Sequence, residues 1–431
     1  MRIAIAGYGL EGESNYHYYA SNLDNQILIA DENQPSRELP IDVDTIIGPE
    51  AFSHLDGFDI VMRTASLPPR KITTDGQLWS STNEFFAKCP CQIIGVTGTK
   101  GKGTISSLIA SILKADSRKV WLVGNIGVTP LQFLSEIKPD DIVVYELSSF
   151  QLWDLKKSPH IAVVTMVEPE HLNVHYDFED YIEAKANIRR FQTADDFCIF
   201  HPSNKISERI SKVSNLGTVV QYGVKGNGAY VSYGKFYFKD EIVCDKDKLQ
   251  LFGEHNVENA CAAITVAKIC NVSNEIIAKG LENFKGLEHR LEFVRELDGV
   301  RYFNDCFSSS TPATVAAIKA FKVPEILIMG GIDRGGDFSG IADLIATQGN
   351  VKRVIVIGAI REKLSGILKS VNPTAIIETI DLKDMKSIIM LAKSYATTGD
   401  IVLMSPGCAS FDMFKDFYDR GNQFKKAVKE L

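Results

Sequence analysis

Between an apolar run at Cys91–Val96 and a helical pattern at Ile105–Lys114 lies Thr97-Gly98-Thr99-Lys100-Gly101-Lys102-Gly103-Thr104. Glycines let a backbone turn tightly and aim several N–H groups at one anion, and the N-terminus of a following helix adds partial positive charge. Lys102 is long enough to reach the outer phosphates of a nucleoside triphosphate, and Thr104 carries a hydroxyl suited to Mg²⁺. The segment departs twice from the GxxxxGK[ST] pattern: Gly95 lies one residue early, and Gly103 follows the lysine. The strand before it and the helix after it are what identify a triphosphate loop. A second glycine turn, Gly7-Tyr8-Gly9-Leu10-Glu11-Gly12, follows the apolar run Arg2–Ala6, with Asp31 about 20 residues further on. That is the spacing of a dinucleotide site, but tight turns and sites for other nucleotides share it.

Other reactive residue types are scattered. The 8 cysteines stand singly; Cys89 and Cys91 come closest, split by Pro90, and no second pair completes a zinc site or disulfide framework. They read as buried free thiols in a reducing cytoplasm. His17, His54 and His160 have no supporting neighbours and read as surface or satisfied core residues.

The elements that must position the two loops follow from the apolar pattern. Runs at Arg2–Ala6, Gln26–Ala30 and Phe58–Met62 predict one doubly wound nucleotide-binding unit. A second begins near residue 90, with strands at Cys91–Val96, Val120–Val123, Ile142–Tyr145, Ile161–Met166 and Phe197–Phe200. Residues 218–252 read as a small antiparallel appendage, and a helix follows at Val257–Cys270. A third unit carries strands at Val300–Phe303, Glu325–Met329, Val351–Ile357 and Ile401–Met404, and a last helix from about Asp412 to Lys429. Strands alternating with helices imply parallel sheets covered on both faces. The predicted fold class is therefore α/β: a Rossmann-like N-terminal domain (1–88), a phosphate-loop domain with an antiparallel appendage (89–286), and a Rossmann-like C-terminal domain (287–431).

Composition agrees with this. The 431 residues are 45% hydrophobic and 23% charged, with net charge −7, which suits an ordinary multi-domain globular protein and argues against a protein that coats nucleic acid. No signal-peptide pattern opens the chain and no apolar window is long enough to span a membrane, so the expected location is cytoplasmic and the expected partners are small molecules.

With the loop placed, further motifs fall in a fixed order: Gly124-Asn125-Ile126-Gly127, Glu146-Leu147-Ser148-Ser149-Phe150-Gln151-Leu152, Glu170-His171-Leu172, Lys185 14 residues after that histidine, His255-Asn256-Val257-Glu258-Asn259, His289-Arg290, Asn304-Asp305, and Ser405-Pro406-Gly407-Cys408-Ala409-Ser410-Phe411-Asp412. Over essentially its whole length the chain resembles the Mur ligase family, the amino-acid-adding enzymes of peptidoglycan synthesis. The Glu146–Leu152 segment, the C-terminal ending and the short N-terminal domain resemble the branch that adds glutamate to UDP-N-acetylmuramoyl-L-alanine.

The resemblance implies an ATP-dependent, amide-forming, ADP-producing ligase that works through an acyl phosphate, as a monomer. It implies Lys102, Glu146, His171 and Lys185 as catalytic residues. Two Mg²⁺ sites would draw on Thr104, Glu146, His171 and Lys185, the last once carbamylated by CO₂; composition alone would make Lys185 a surface lysine. ATP would be held by Gly98, Thr99, Lys100, Gly101, Lys102, Gly103, Thr104, Asn256, Asn259, Arg290 and Asp305. The nucleotide sugar would contact Gly7, Leu10, Glu11, Asp31, Thr64, Asn125 and Ser148, and glutamate Arg334, Ser309, Ser410, Phe411 and Phe417. Two places depart from the family pattern: Thr64-Ala65-Ser66 replaces a Ser-Pro-Gly loop, and Phe307 stands where a carboxylate-binding lysine is usual. Arg334 occupies the place of a second family lysine and can grip a carboxylate with two parallel hydrogen bonds. D- and L-glutamate are both compatible with these residues, and a folylpolyglutamate-synthase-like ligase is a further alternative. The rivals from other classes are a non-catalytic nucleotide-binding protein on the same scaffold and an NAD-linked oxidoreductase, which rests only on the first glycine turn.

Overall fold

The computed structural model describes residues 1–125, 129–333, 335–371, 377–379, 381–382 and 384–431. The chain divides into two compact units, Met1–Leu249 with Val257–Phe284, and Gln250–Asn256 with Lys285–Leu431. Among the described residues no helix is long and apolar enough to cross a membrane.

The first unit holds three sheets. Strands β1 (Arg2–Ala6), β2 (Gln26–Asp31), β3 (Asp44–Ile47), β4 (Ile60–Arg63) and β5 (Gln77–Ser80) form a parallel sheet in the order β3-β2-β1-β4-β5. Strands β6 (Gln92–Thr97), β7 (Val120–Gly124), β8 (Ile142–Glu146), β9 (Ile161–Val164), β10 (Phe197–Phe200) and β11 (Thr218–Gln221) form a second parallel sheet, ordered β11-β10-β9-β6-β8-β7. Every residue of β8 and β9 is buried, as expected of strands covered on both faces. Strands β12 (Ala229–Ser232), β13 (Lys235–Phe238) and β14 (Glu241–Asp245) make the antiparallel appendage. The appendage is shorter than expected, because β11 pairs in parallel with β10 instead of joining it.

The second unit is built on one sheet: β15 (Glu292–Leu297), β16 (Val300–Asn304), β17 (Glu325–Gly330), β18 (Val351–Ile357), β19 (Ile377–Thr379) and β20 (Ile401–Met404), ordered β15-β16-β20-β17-β18-β19. Only β15 runs antiparallel to its neighbour. Its two faces are covered by separate apolar clusters, one around Phe303, Leu327 and Leu403 and the other around Tyr302, Ile328 and Val402.

Two helix ends differ from expectation. The last helix is Phe417–Lys429, not one that begins near Asp412, because Asp416 is its N-cap and accepts the Asp419 amide at 2.8 Å. The helix expected to open at Val257 opens at Glu254.

Candidate active site

Register brings the first group of candidate residues to one sheet edge. Val96 on β6 pairs with Glu146 on β8, Gly124 on β7 pairs with Glu146, and Thr97 pairs with Val164 on β9. The phosphate loop, Glu146 and Asn125 therefore emerge together at the carboxyl end of the strands, where open parallel sheets bind ligands. Glu146 is buried, and Asn125 meets it twice, with its backbone N–H on the Glu146 carbonyl at 3.1 Å and its amide nitrogen on Oε1 at 3.5 Å. Ser148 caps the short helix Ser149–Leu152 through a reciprocal pairing with Gln151.

The loop is braced from below. Gly101 takes φ +86° as N-cap of the helix Lys102–Ala115, a conformation that favours glycine. A Cβ added there would lie 2.6 Å from Asn259 Oδ1, which puts Asn259 beside the loop. The Thr99 hydroxyl lies 3.0 Å from the Glu168 carbonyl and 3.0 Å from the Tyr181 hydroxyl. Lys102 Nζ donates to the Gly98 and Thr99 carbonyls at 3.0 and 3.1 Å, and Lys100 pairs with Glu170 at 2.7 Å. Gly103 and Thr104 form the first helical turn behind them.

Lys185 is not a surface residue. It is 1% exposed, on the inward face of the helix Phe178–Arg190. Its Nζ donates to the Gly98 carbonyl at 2.8 Å, reaches Thr97 Oγ1 at 3.4 Å, and stands 4.6 Å from the centre of the Tyr181 ring. Burial, helped by the neighbouring Lys102, holds its pKa well below the usual lysine range. His171 takes φ +58°, and its Nε2 lies 3.7 Å from Glu170. Burial lowers the His171 pKa against the opposing pull of Glu170. Burial would raise Glu170, but Lys100, Lys102 and His171 outweigh it and hold the carboxyl below its ordinary value.

The donor set can be tested for a divalent cation. Among the described residues, no three His, Cys, Asp or Glu side chains cluster to hold a metal. Glu146 supplies oxygen, the ligand Mg²⁺ prefers, and His171 a less suitable nitrogen. An unmodified Lys185 offers no acceptor at all. Oxygen atoms gained by Lys185 would supply the missing acceptor, and its burial favours the neutral amine such a modification requires.

Several residues here escaped sequence reasoning. His175 is buried in a relay, with Nε2 2.9 Å from Ser149 Oγ and Nδ1 2.7 Å from Asp180 Oδ2; its ring stacks on Phe150, which also packs on His171. Arg63, at the end of β4, is fully buried and grips Asp154 with Nε at 2.8 Å and Nη2 at 2.5 Å. It also reaches the carbonyls of Thr64, Leu67 and Phe150. The clamp ties the Thr64–Ser66 loop of the first sheet to the Ser148–Trp153 segment of the second. His160 does have a partner, Asp196 at 2.8 Å.

At the carboxyl edge of the first sheet, Ala6 pairs with both Ala30 and Arg63, which brings Gly7, Asp31 and Thr64 together. Asp31 accepts the amides of Tyr8 at 2.7 Å and Asn33 at 3.0 Å. Glu11 accepts the Ala65 amide at 2.8 Å and the Ser81 hydroxyl. Thr64 is buried, whereas Leu10 is exposed.

The second unit repeats this logic. Asn304 pairs with Met404, and Met404 with Ile328, so the segments that begin at Asp305, Gly331 and Ser405 leave one edge together. Asp305 is buried; its carboxylate accepts from Ser405 Oγ at 2.7 Å and from the Leu291 amide at 3.1 Å. Burial raises its pKa to about 6 despite these bonds. The Arg290 guanidinium lies 4.0 Å from the centre of the Phe307 ring, which in turn packs edge-on against Phe417 at 5.0 Å. Phe307 thus supports an arginine where a lysine was expected to meet substrate. Arg420, nearly fully buried, ties the Cys306 and Cys408 carbonyls together at 3.1 and 3.2 Å. Ser309 donates its backbone N–H to Phe307, Ser410 is buried and Phe411 is exposed. Arg334 lies outside the described residues. Gln250, Phe252, Asn256, Arg290, Leu291 and Phe293 line a cleft of about 550 Å³.

Comparison with known proteins places these features in a family. Residues 96–267 match the Mur ligase middle domain, and residues 289–408 the Mur ligase glutamate ligase domain. The chain is 35% identical to a UDP-N-acetylmuramoylalanine–D-glutamate ligase of Clostridium kluyveri, over all of this chain and 97% of that one. It is 37% identical to the protein of the same name from Clostridium tetani, over 89% of this chain and 86% of that one. Among solved structures, a MurF ligase of Thermotoga maritima in complex with ADP shares the fold, with TM-score 0.62, 17% identity, and 99% and 95% of the two chains covered.

Proposed function

Because this chain belongs to the Mur ligase family, we propose that it joins D-glutamate to UDP-N-acetylmuramoyl-L-alanine at the expense of ATP. The observation that carries the reading is the convergence of the phosphate loop, Glu146 and buried Lys185 at the carboxyl edge of one sheet. The full-length D-glutamate ligase relatives support the D configuration over the L.

In this reading the alanyl carboxylate attacks the γ-phosphorus and ADP departs. The glutamate amine then attacks the acyl carbon of the acyl phosphate, and phosphate departs as the amide forms. Both steps bring anions together, so positioning and charge compensation carry the catalysis. Lys102 exchanges the Gly98 and Thr99 carbonyls for phosphate oxygens. The amides of Gly98–Gly103 face the phosphates, with Asn259 beside Gly101. In the second unit, Asn256 and Arg290 line the cleft offered to the nucleoside, and Asp305 holds the Leu291 and Ser405 segments in place. The glycine turn at Gly7 and its partners Glu11, Asp31 and Thr64 receive the uridine diphosphate, while Ser309, Arg334, Ser410, Phe411 and Phe417 surround glutamate.

Thr104, Glu146, His171 and carbamylated Lys185 would hold Mg²⁺, which when bound neutralises charge on the phosphates. The division 1–88, 89–286 and 287–431 assigns one substrate to each part, in a cytoplasmic monomer. The test is phosphate release with ATP, Mg²⁺ and UDP-N-acetylmuramoyl-L-alanine, run separately with D- and L-glutamate. Release that needs both the nucleotide sugar and D-glutamate is the expected result. Release with L-glutamate alone would overturn the stereochemical part, and none with either would overturn the substrate assignment.

A further inference from the structure

The chain carries a pair of nucleophilic side chains in mutual contact that the ligase chemistry does not use. Among the described residues the eight cysteines form no disulfide, yet Cys89 Sγ and Cys91 Sγ lie 3.6 Å apart. Cys89 closes the helix Ser81–Lys88 as its C-cap, with extended backbone at φ −61° and ψ 123°. Cys91 stands immediately before β6. Pro90, with φ held near −65°, keeps the segment from turning back into the helix, and the two thiols meet across it. Both residues are half-buried, packed against the apolar core on one side and flanked by exposed Lys88, Pro90 and Gln92 on the other. The sequence reading of solitary, buried thiols therefore does not hold for these two.

The pair is also polarised. The hydrogen bond from Cys91 draws the Cys89 pKa down to about 7, and the same bond pushes Cys91 up. Burial raises the thiols of Cys198, Cys261, Cys306 and Cys408 to about 12 and those of Cys244 and Cys270 to about 11. At neutral pH, Cys89 is therefore the thiol with substantial thiolate character.

We propose that Cys89 and Cys91 form a redox-active dithiol that closes to an intramolecular disulfide by exchange with a small disulfide such as oxidised glutathione. The Cys89 thiolate attacks one sulfur of the reagent, forms a mixed disulfide and expels one glutathione thiolate. Cys91 then gives up its proton and attacks Cys89 Sγ, which expels the second glutathione thiolate. Two cysteine thiols are oxidised and one glutathione disulfide is reduced to two glutathione molecules. Closure brings the sulfurs from 3.6 Å to about 2.0 Å, and excess reduced glutathione reverses it.

The test is to incubate the full-length protein with oxidised glutathione near pH 7, quench with an alkylating agent, and map the peptides by mass spectrometry. The expected product is a Cys89–Cys91 disulfide that is two hydrogens lighter and carries no glutathione. Cys91→Ser should trap glutathione on Cys89, whereas Cys89→Ser should leave Cys91 at least about ten-fold less modified. A wild-type product that keeps glutathione on Cys89 with Cys91 still alkylatable would overturn the proposal. So would full alkylation of both thiols in wild type after prolonged incubation with excess oxidised glutathione. The wild-type map decides the matter even if a variant folds poorly.

Discussion

Replacing Arg63 with methionine tests how the first two sheets are held in working register. Arg63 is 0% exposed and Asp154 15% exposed, with two contacts at 2.8 and 2.5 Å between them. Removing one member of a buried ion pair costs about 3–5 kcal/mol, because the other charge is left uncompensated. Asp154 keeps some contact with water, which favours the lower end, but the Thr64, Leu67 and Phe150 carbonyls also lose their donor, at about 1 kcal/mol each where water cannot replace it. Arg63→Met should therefore cost about 3–5 kcal/mol. In urea unfolding followed by tryptophan fluorescence, where Trp153 beside the guanidinium reports the clamp, the first transition should move to lower denaturant. Asp154→Leu alone should also destabilise. The double variant should recover a large part of the loss, with a coupling of about 2 kcal/mol or more. Because the clamp joins the Thr64–Ser66 loop to the segment after Glu146, KM for the nucleotide sugar should rise more than kcat falls. A cost below about 0.5 kcal/mol, or strict additivity in the double variant, would refute the reasoning.

Lys185→Arg keeps a cation but cannot form a carbamate, so phosphate release should fall on the order of 10²-fold. Protein equilibrated with ¹³C-bicarbonate should show a carbamate carbon signal that this variant lacks, and its absence in wild type would remove the assignment. Phe307→Ala deletes the ring under Arg290, a contact of about 0.5–1 kcal/mol when exposed; KM for ATP should rise about 2–5-fold in initial-rate assays. Glu325, at the start of β17, is fully buried with neither carboxylate oxygen hydrogen-bonded, and burial raises its pKa from 4.5 to about 8. The folded state then keeps its proton while the unfolded state loses it. Stability from this group is complete below about pH 4.5 and is lost as pH rises toward 8, by about 4 kcal/mol between pH 5 and 8. Glu325→Gln should flatten that slope in urea titrations at several pH values, and an equal slope in both proteins would refute it.

What could be read before the fold was known depended on whether the signal was local. The phosphate loop and Glu146 stand at the ends of continuous apolar runs, so strand periodicity alone puts them at a sheet edge. Lys185 shows a weaker local signal. Tyr181, Ile182, Ala184, Ala186, Ile188 and Arg189 are the other buried positions of its helix, and a lysine four residues after Tyr181 and three before Ile188 falls on that inward side. Reading that pattern would have buried the lysine without any family resemblance. The Asp416 cap was likewise readable from its spacing to Asp419. Other features carry no local signal. Strand β3 is exposed at all four positions, so nothing in its pattern marks a core strand. Thr218–Gln221 sits between glycines like a hairpin strand, and only its pairing with β10 puts it in the parallel sheet. Arg63 and Asp154 are 91 residues apart, and the thiol pair at Cys89 and Cys91 acquires its meaning from a contact distance that composition cannot supply. The residues that bind substrate lie at strand ends and are legible there; those that hold one strand end against another are defined by long-range contacts, and variants of Arg63 and His175 will separate these two roles more cleanly than variants of the phosphate loop.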